Sequence, residues 1–391
     1  MGTAITPKRS GASAAVGAQR LGYIDWLRGL ACLGMFEVHA YDAWLGGAAR
    51  HGKVFFWSQF SGTLPAPLFV FLSGMACALV TDRMRRKGVS NSKVAAKMIR
   101  RGFEIFALGL LFRVQEFALA WPVAPWTDLG RVDVLNMIGL SIVAMGAICW
   151  LAQTRAANAA LAAAVAIGVA MATPPLWTTW SPNWLPWYVE SYINGVHTLG
   201  TPQPWLFPMF PWSAFAFAGL AVGMMLFADW PSKNPATAVV MLGGAGIGLF
   251  YLARALDGNS VHLYASYDYW HTSPNFFLSR VAILLMLMLA GFAYCQWGPG
   301  RIKFSPLRQM GQTSLLVYWV HIEFVYGKFS ILPKAAESVP MATLGLAMIF
   351  AAMLLLSIAR TRTKGRGAEG WAWIRRRAGH LFGAGDAVPQ G

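Results

Sequence analysis

An arginine and a histidine stand eleven residues apart, Arg28 and His39, in an otherwise apolar run, "YIDWLRGLACLGMFEVHAYDAW", at 23–44. Asp25, Glu37 and Asp42 lie in the same run. At about 100° per residue, Arg28 and His39 share one helix face, with Asp25 and Asp42 within about 60° of it. Glu37 falls on the opposite side. A histidine with a carboxylate one turn further on is a general-base pair, in which Asp42 would bond and orient the His39 ring. Charge in hydrocarbon is costly, so a stripe of this kind must face a packed or water-accessible interior. Taken singly, Asp25 and Arg28 read as charges snorkelling from a helix end, and His39 as a hydrogen-bonded core histidine. Taken together at this spacing, they read as a site, with His39 and Asp42 as its catalytic pair.

Other apolar runs carry charge at a comparable depth. "RRGFEIFALGLLFRVQEFALAW" holds Arg113 and Glu116, "SPNFFLSRVAILLML" holds Arg280, and "GQTSLLVYWVHIEF" holds His321 and Glu323. Their convergence would line a polar cavity, with Arg113, Glu116, Arg280 and His321 as substrate-binding residues. Arg113 and Glu116 could equally form an ion pair across one turn. Glu104 is expected to pair with the basic residues around Arg100. Ser73 and Gly74, in "PAPLFVFLSGMACAL", suit close helix packing or, alternatively, the close approach of a cofactor.

The elements that must position these residues are membrane helices. The chain has 391 residues, 56% of them hydrophobic and 12% charged, and its mean hydropathy is +0.47. A soluble protein could not bury so much apolar surface, and 18 Trp and 24 Phe suit interfacial aromatic belts. At about 20 apolar residues per crossing, ten spans are expected, near 24–45, 57–80, 99–120, 134–152, 158–176, 205–227, 236–255, 276–296, 312–330 and 340–359. The fold class is therefore all-α, a polytopic bundle of about ten transmembrane helices. Residues 1–22 are expected to be a disordered tail rather than a cleaved signal peptide, residues 23–360 the membrane domain, and 361–391 a basic tail.

With both termini cytoplasmic, most of the 32 Lys and Arg fall in inner segments, as the positive-inside rule requires. Orientation and anionic lipid then account for the net charge of +16, and nucleic acid is not expected as a partner. In this orientation Arg28 lies near the inner surface and His39 about 16 Å further out. The four cysteines, Cys32, Cys77, Cys149 and Cys295, lie in apolar runs without CxxC spacing. They read as packing residues, with no metal site. The aromatic loop at 177–204 would lie at the headgroups or act as a lid over an acceptor. The tail from 361 would lie on the inner leaflet or remain disordered.

"RLGYIDWLRGLACLGMFEVH" resembles the first helix of membrane acyltransferases related to heparan-α-glucosaminide N-acetyltransferase. It is also similar to bacterial membrane O-acyltransferases, whose best-known motif is an Arg, ten residues and a His. "APLFVFLSGMACAL", "PMFPWSAFAFAGLAVGMML" and "LRQMGQTSLLVYWVHIEF", the last carrying Tyr318 and His321, resemble later elements of these families. The resemblance implies acetyl transfer across a membrane, from cytoplasmic acetyl-CoA to an amino or hydroxyl group of a sugar, glycolipid or other acceptor on the outer side, with no metal. It makes His39 the base, or an acyl carrier, and Arg28, with Asp25 and Ser73 nearby, the CoA-binding group. Arg280 and His321 become candidate donors to a tetrahedral intermediate. It further implies a bacterial inner membrane, lipids as surroundings, and compatibility with a homodimer. A proton-coupled exporter of a small polar metabolite is the alternative, since intramembrane His, Asp, Glu and Arg serve that chemistry too. A continuous first helix would favour transfer, and discontinuous helices would favour transport.

Overall fold

The computed structural model describes residues 11–195, 207–259, 263–264, 268–299 and 304–381, and side chains from 22 to 363 within these. The described residues are helical, and the sole strand-like contact among them is an isolated bridge between Leu45 and Glu337. In chain order the helices are α1 (Gly11–Trp44), α2 (Gly47–Arg50), α3 (Lys53–Gly62), α4 (Pro65–Arg86), α5 (Asn91–Ala120), α6 (Val134–Leu151), α7 (Arg155–Thr178) and α8 (Trp187–Asn194). They continue as α9 (Met209–Leu226), α10 (Asp229–Lys233), α11 (Pro235–Asp257), α12 (Pro274–Gln296), α13 (Pro306–Gln312), α14 (Ser314–Val325) and α15 (Val339–Leu381).

Among the described residues seven segments are long and apolar enough to cross a membrane: Lys53–Arg86, Trp126–Leu151, Arg155–Thr178, Met209–Leu226, Pro235–Asp257, Pro274–Gln296 and Val339–Thr363. Three further spans expected from the sequence fall on α1, α5 and α14, which lie outside these seven. The reason is physical: α1 and α5 carry the charged residues singled out above, and α14 is 12 residues long. The first ten residues of the expected N-terminal tail, the end of the aromatic loop and the last ten residues lie outside the described residues, while α1 begins at Gly11 and α15 runs to Leu381.

Two apolar cores hold the bundle. The larger joins α4, α6, α9 and α12 to the first half of α1, through residues such as Leu27, Phe71, Met137, Phe215 and Met288. The smaller packs the second half of α1 against α14 and α15 through Phe36, Trp44, Val317 and Ile349. Glycine sets the closest approaches. A methyl group on Gly74 would run into the carbonyl oxygen of Ala216, and one on Gly219 into that of Phe71, so α4 and α9 touch backbone to backbone. Gly29 and Gly311 do the same between α1 and α13, against Leu307 and Asp25. The four cysteines are free and buried.

The bundle has two unlike ends. At one end, Gly22 lies against Arg308, and Asp82 (8% exposed) accepts from Arg86 at 2.9 Å and from Arg155, while Arg86 also donates to Asp229 at 2.8 Å. Asp229 stands outside the spans, and its hydrogen bond from Arg86 holds its carboxyl below the usual carboxylate range. Arg100 and Arg101 each reach Glu104 at 3.1 Å on this side. His39 lies toward the opposite end.

Candidate active site

His39 half-emerges from α1 and meets His321, which is fully buried, on α14. His39 Nδ1 and His321 Nε2 are 3.0 Å apart, and the two rings lie nearly parallel, 7° between planes. His321 Nδ1 is 3.0 Å from the carbonyl oxygen of Val317, one turn back in its own helix. These contacts fix the tautomers of a neutral pair. A carbonyl only accepts, so His321 Nδ1 carries its proton and Nε2 offers its lone pair. His39 Nδ1–H then donates to that lone pair. His39 Nε2 is left with a free lone pair on the far side of the ring. Such an arrangement suits a histidine to act as a base, with its ring held by a fixed acceptor.

The sequence suggested Asp42 for the orienting role, but the structure gives it to His321. Asp42 accepts instead from the Tyr326 hydroxyl at 2.7 Å and forms a looser ion pair with Arg50 at 3.8 Å. Arg50 also donates to the Asp42 carbonyl. Being one turn apart put Asp42 within reach of His39, but a phenol and a guanidinium outside the helix compete for it. The Tyr326 ring in turn stands edge-on to His39, with centroids 5.2 Å apart. Asp42 thus touches the site through Tyr326. Glu37, on the other side of α1, accepts from Ser61 at 3.0 Å.

A second polar group lies on the neighbouring face of α14. Arg113 pairs with Asp133 at 3.2 Å, not with Glu116, and its guanidinium stacks over Phe112. Asp133 caps α6: its carboxylate accepts from the Leu135 amide, and Asn136 closes a capping box. It also accepts from the Tyr318 hydroxyl at 3.0 Å. Trp319 donates to Gln115 at 2.9 Å, and Gln115 donates to Glu323 at 2.6 Å, beside Glu116. Arg113 Nε, Glu116 Oε1 and Glu323 Oε2 are buried without hydrogen-bond partners, which is costly unless something else satisfies them.

The remaining expected residues are more dispersed. Arg280 (3% exposed) sits between Phe60 of α3 and Phe276, apart from the histidine pair. Arg28 and Asp25 pair loosely at 3.6 Å near the other end of α1, each part-exposed. Ser73 donates to its own helix at the Val70 carbonyl, 2.6 Å away. Gly74 beside it serves the α4–α9 contact, which is the packing reading of that motif. Asp133, Gln115 and Tyr326 were missed in the sequence. Only Asp133 left a local signal: an Asp followed three residues later by Asn, directly before an apolar run. Among the described residues no cluster of His, Cys, Asp and Glu could hold a metal ion.

An all-helical bundle in which seven described segments are long and apolar enough to cross a membrane belongs to the class of integral membrane proteins. Residues 20–254 match the catalytic domain family of heparan-alpha-glucosaminide N-acetyltransferase, and the chain belongs to that family, one of acetyltransferases. Among curated proteins none matches it. The matched stretch holds Arg28, His39, Ser73, Arg113 and Asp133, and ends before Arg280, Tyr318 and His321.

Proposed function

We propose that this protein is a membrane acetyltransferase using acetyl-CoA from the face that carries the basic residues. The acetyl group goes to an amine or hydroxyl of a sugar or other acceptor at the opposite end, with His39 as the general base. The observation that carries this reading is the chain from the Val317 carbonyl through His321 to His39, which leaves one lone pair aimed away from its support. His39 Nε2 would take the proton of the acceptor N–H or O–H as that atom bonds to the thioester carbonyl carbon. When the tetrahedral adduct collapses and its C–S bond breaks, His39 returns the proton to the departing sulfur. His321 holds the His39 tautomer throughout.

The basic end supports entry of CoA there. Arg28 keeps 30% of its side chain exposed, and its pair with Asp25 is loose, so guanidinium donors remain for phosphate oxygens. Arg308 lies on the same side, against Gly22. We assign Arg28 to CoA, with Asp25 and Ser73 as flanking groups, and this end to the cytoplasm by the positive-inside rule. Arg113, Glu116, Asp133 and Glu323 form the polar wall on the acceptor side. α1 runs unbroken past both ends of the stripe, which favours transfer over transport.

The test is release of CoA from acetyl-CoA by purified protein in detergent or liposomes, comparing wild type with His39→Ala. Turnover that vanishes in a folded variant upholds the assignment. Absence of acetyl-CoA binding by calorimetry in folded wild type would remove the donor and the reading with it.

A further inference from the structure

Arg280 has no use in the scheme above, and its surroundings are unusual. It lies in the first turns of α12, is 3% exposed, and has no ion pair among the described residues. Its guanidinium carbon stands 4.5 Å from the centre of the Phe276 ring and 5.6 Å from that of Phe60. Aromatic faces orient a guanidinium and attract it, but they leave its N–H groups in the ring-edge directions unused, and Nε is buried without a partner. Among the other buried polar atoms without partners on these two helices are Ser279 Oγ, next to Arg280, and Gln59 Nε2, next to Phe60. Like Arg280 Nε, both can donate, and neither has an acceptor.

The position matters as much as the charge. α3 closes onto α1 at the level of the histidine: Gly62 rests on Val38, and Ser61 donates to Glu37. Trp270 meets the Phe60 ring edge-on, and Tyr269 and Trp270 meet Phe276. Arg280 therefore occupies an aromatic-walled place in the layer of the bundle that contains His39, at the far end from Arg28. A buried, uncompensated cation is expensive unless an anion joins it.

We propose that Arg280, between Phe60 and Phe276, seats an anionic group of the acceptor, a carboxylate or phosphate on the sugar, so that the enzyme prefers acidic acceptors. This deepens the acetyltransferase reading and rests on it for the word acceptor, though not for the anion site itself. The aromatic walls would take the ring of the sugar, and Gln59 and Ser279 would add donors to the anion.

Two measurements on the full-length protein in detergent test it. The first is thermal stabilisation by inorganic phosphate against chloride at equal ionic strength, for wild type, Arg280→Met and Arg280→Lys. The second is acetylation of glucosamine 6-phosphate against glucosamine. Phosphate should stabilise wild type saturably, stabilise Arg280→Lys less, and leave Arg280→Met unmoved. Wild type should favour the phosphorylated amine by about tenfold in kcat/KM, chiefly through KM, as expected for one charge-assisted contact, and Arg280→Met should lose that preference. Equal stabilisation of Arg280→Met, or a wild-type preference near one, overturns the proposal. If phosphate has no effect but phosphatidylglycerol vesicles stabilise wild type over the variants, the site takes a lipid headgroup and the proposal fails. If neither amine is acetylated while phosphate still discriminates the variants, the anion site stands and the acetyltransferase reading fails. Should Arg280→Met not fold, wild type and Arg280→Lys still decide the question.

Discussion

Two buried aspartates at opposite ends of the bundle solve the same problem differently. Asp82, at the basic end, is held by two arginines, Arg86 and Arg155, and the network closes outward through Asp229. Every charge in that network has a counter-charge in reach. Asp133, at the histidine end, has one arginine, one phenol and a backbone amide, and unsatisfied groups lie around it. The charged side chains with buried, unpartnered atoms, Arg113, Glu116, Arg280 and Glu323, all belong to the histidine end. Both ends bury charge, so burial alone does not mark a site. What separates them is unspent hydrogen-bonding capacity on charged side chains, which a tie between helices has no reason to keep and a binding surface does.

That contrast can be broken by substitution. His39→Gln should lower acetyl transfer about a thousandfold, the scale of a lost general base, and leave the thermal midpoint near that of wild type. An equal fall in stability would make His39 a packing residue. Asp82→Ala strands Arg155 and Arg86. Both are partly exposed, so the cost should be about 2 kcal/mol, below that of a fully buried pair. It should appear as a lower unfolding midpoint, with turnover per folded molecule unchanged. Reduced turnover at full occupancy of the fold would erase the distinction between the two ends.

Smaller effects sharpen it. His321→Leu removes the acceptor for His39 Nδ1 and frees the ring to adopt the wrong tautomer. We expect kcat to fall about tenfold, the lower range for a group that orients another, with the KM for acetyl-CoA retained and the pH–rate profile displaced. His321→Gln, whose amide oxygen can accept, should recover part of the loss. A purely structural His321 would leave the pH profile in place. The smallest effect belongs to Asp229. Its carboxyl titrates below the usual range because Arg86 holds it, so its contribution is present above the ordinary carboxylate pKa and fades as pH falls through the lowered value. Asp229→Asn should remove that small contribution at neutral pH, as little as an exposed pair gives, and so flatten the acid-side fade in the unfolding midpoint.

How much of this was legible in the sequence varies by residue. The shared face of Arg28 and His39 follows from helical period alone, and three turns of α1 deliver it. That α5, α12 and α14 each carry charged groups within apolar runs was also legible, because hydropathy and residue type are local properties. Which of them touch was not. His39 and His321 are 282 residues apart, and no local pattern encodes that pairing. Asp42 shows the limit most clearly: it lies one turn from His39, yet Tyr326 from a distant loop takes its carboxylate. Arg113 likewise passes over the near Glu116 for Asp133 across a helix junction. Local spacing says which partners are available, while packing decides among them. The span count behaved differently: of the ten spans expected, seven are long and apolar enough among the described residues, and the other three fall on α1, α5 and α14, which carry His39, Arg113 and His321.

The backbone contact between Gly29 and Gly311 has a mechanical consequence. A helix resting on its neighbour's carbonyls, with no side chain between, has no clearance to slide or roll, because the first ångström of travel is already occupied. α1 is in this sense an anchored rail, and the distance from Arg28 to His39 along it is fixed at about 16 Å by helical rise. Anything loaded at one end and used at the other must cover that length by its own reach. On the proposed function the moving part is then the flexible arm of acetyl-CoA, and lengthening or shortening that arm by one or two bonds should affect turnover more than stiffening the protein does.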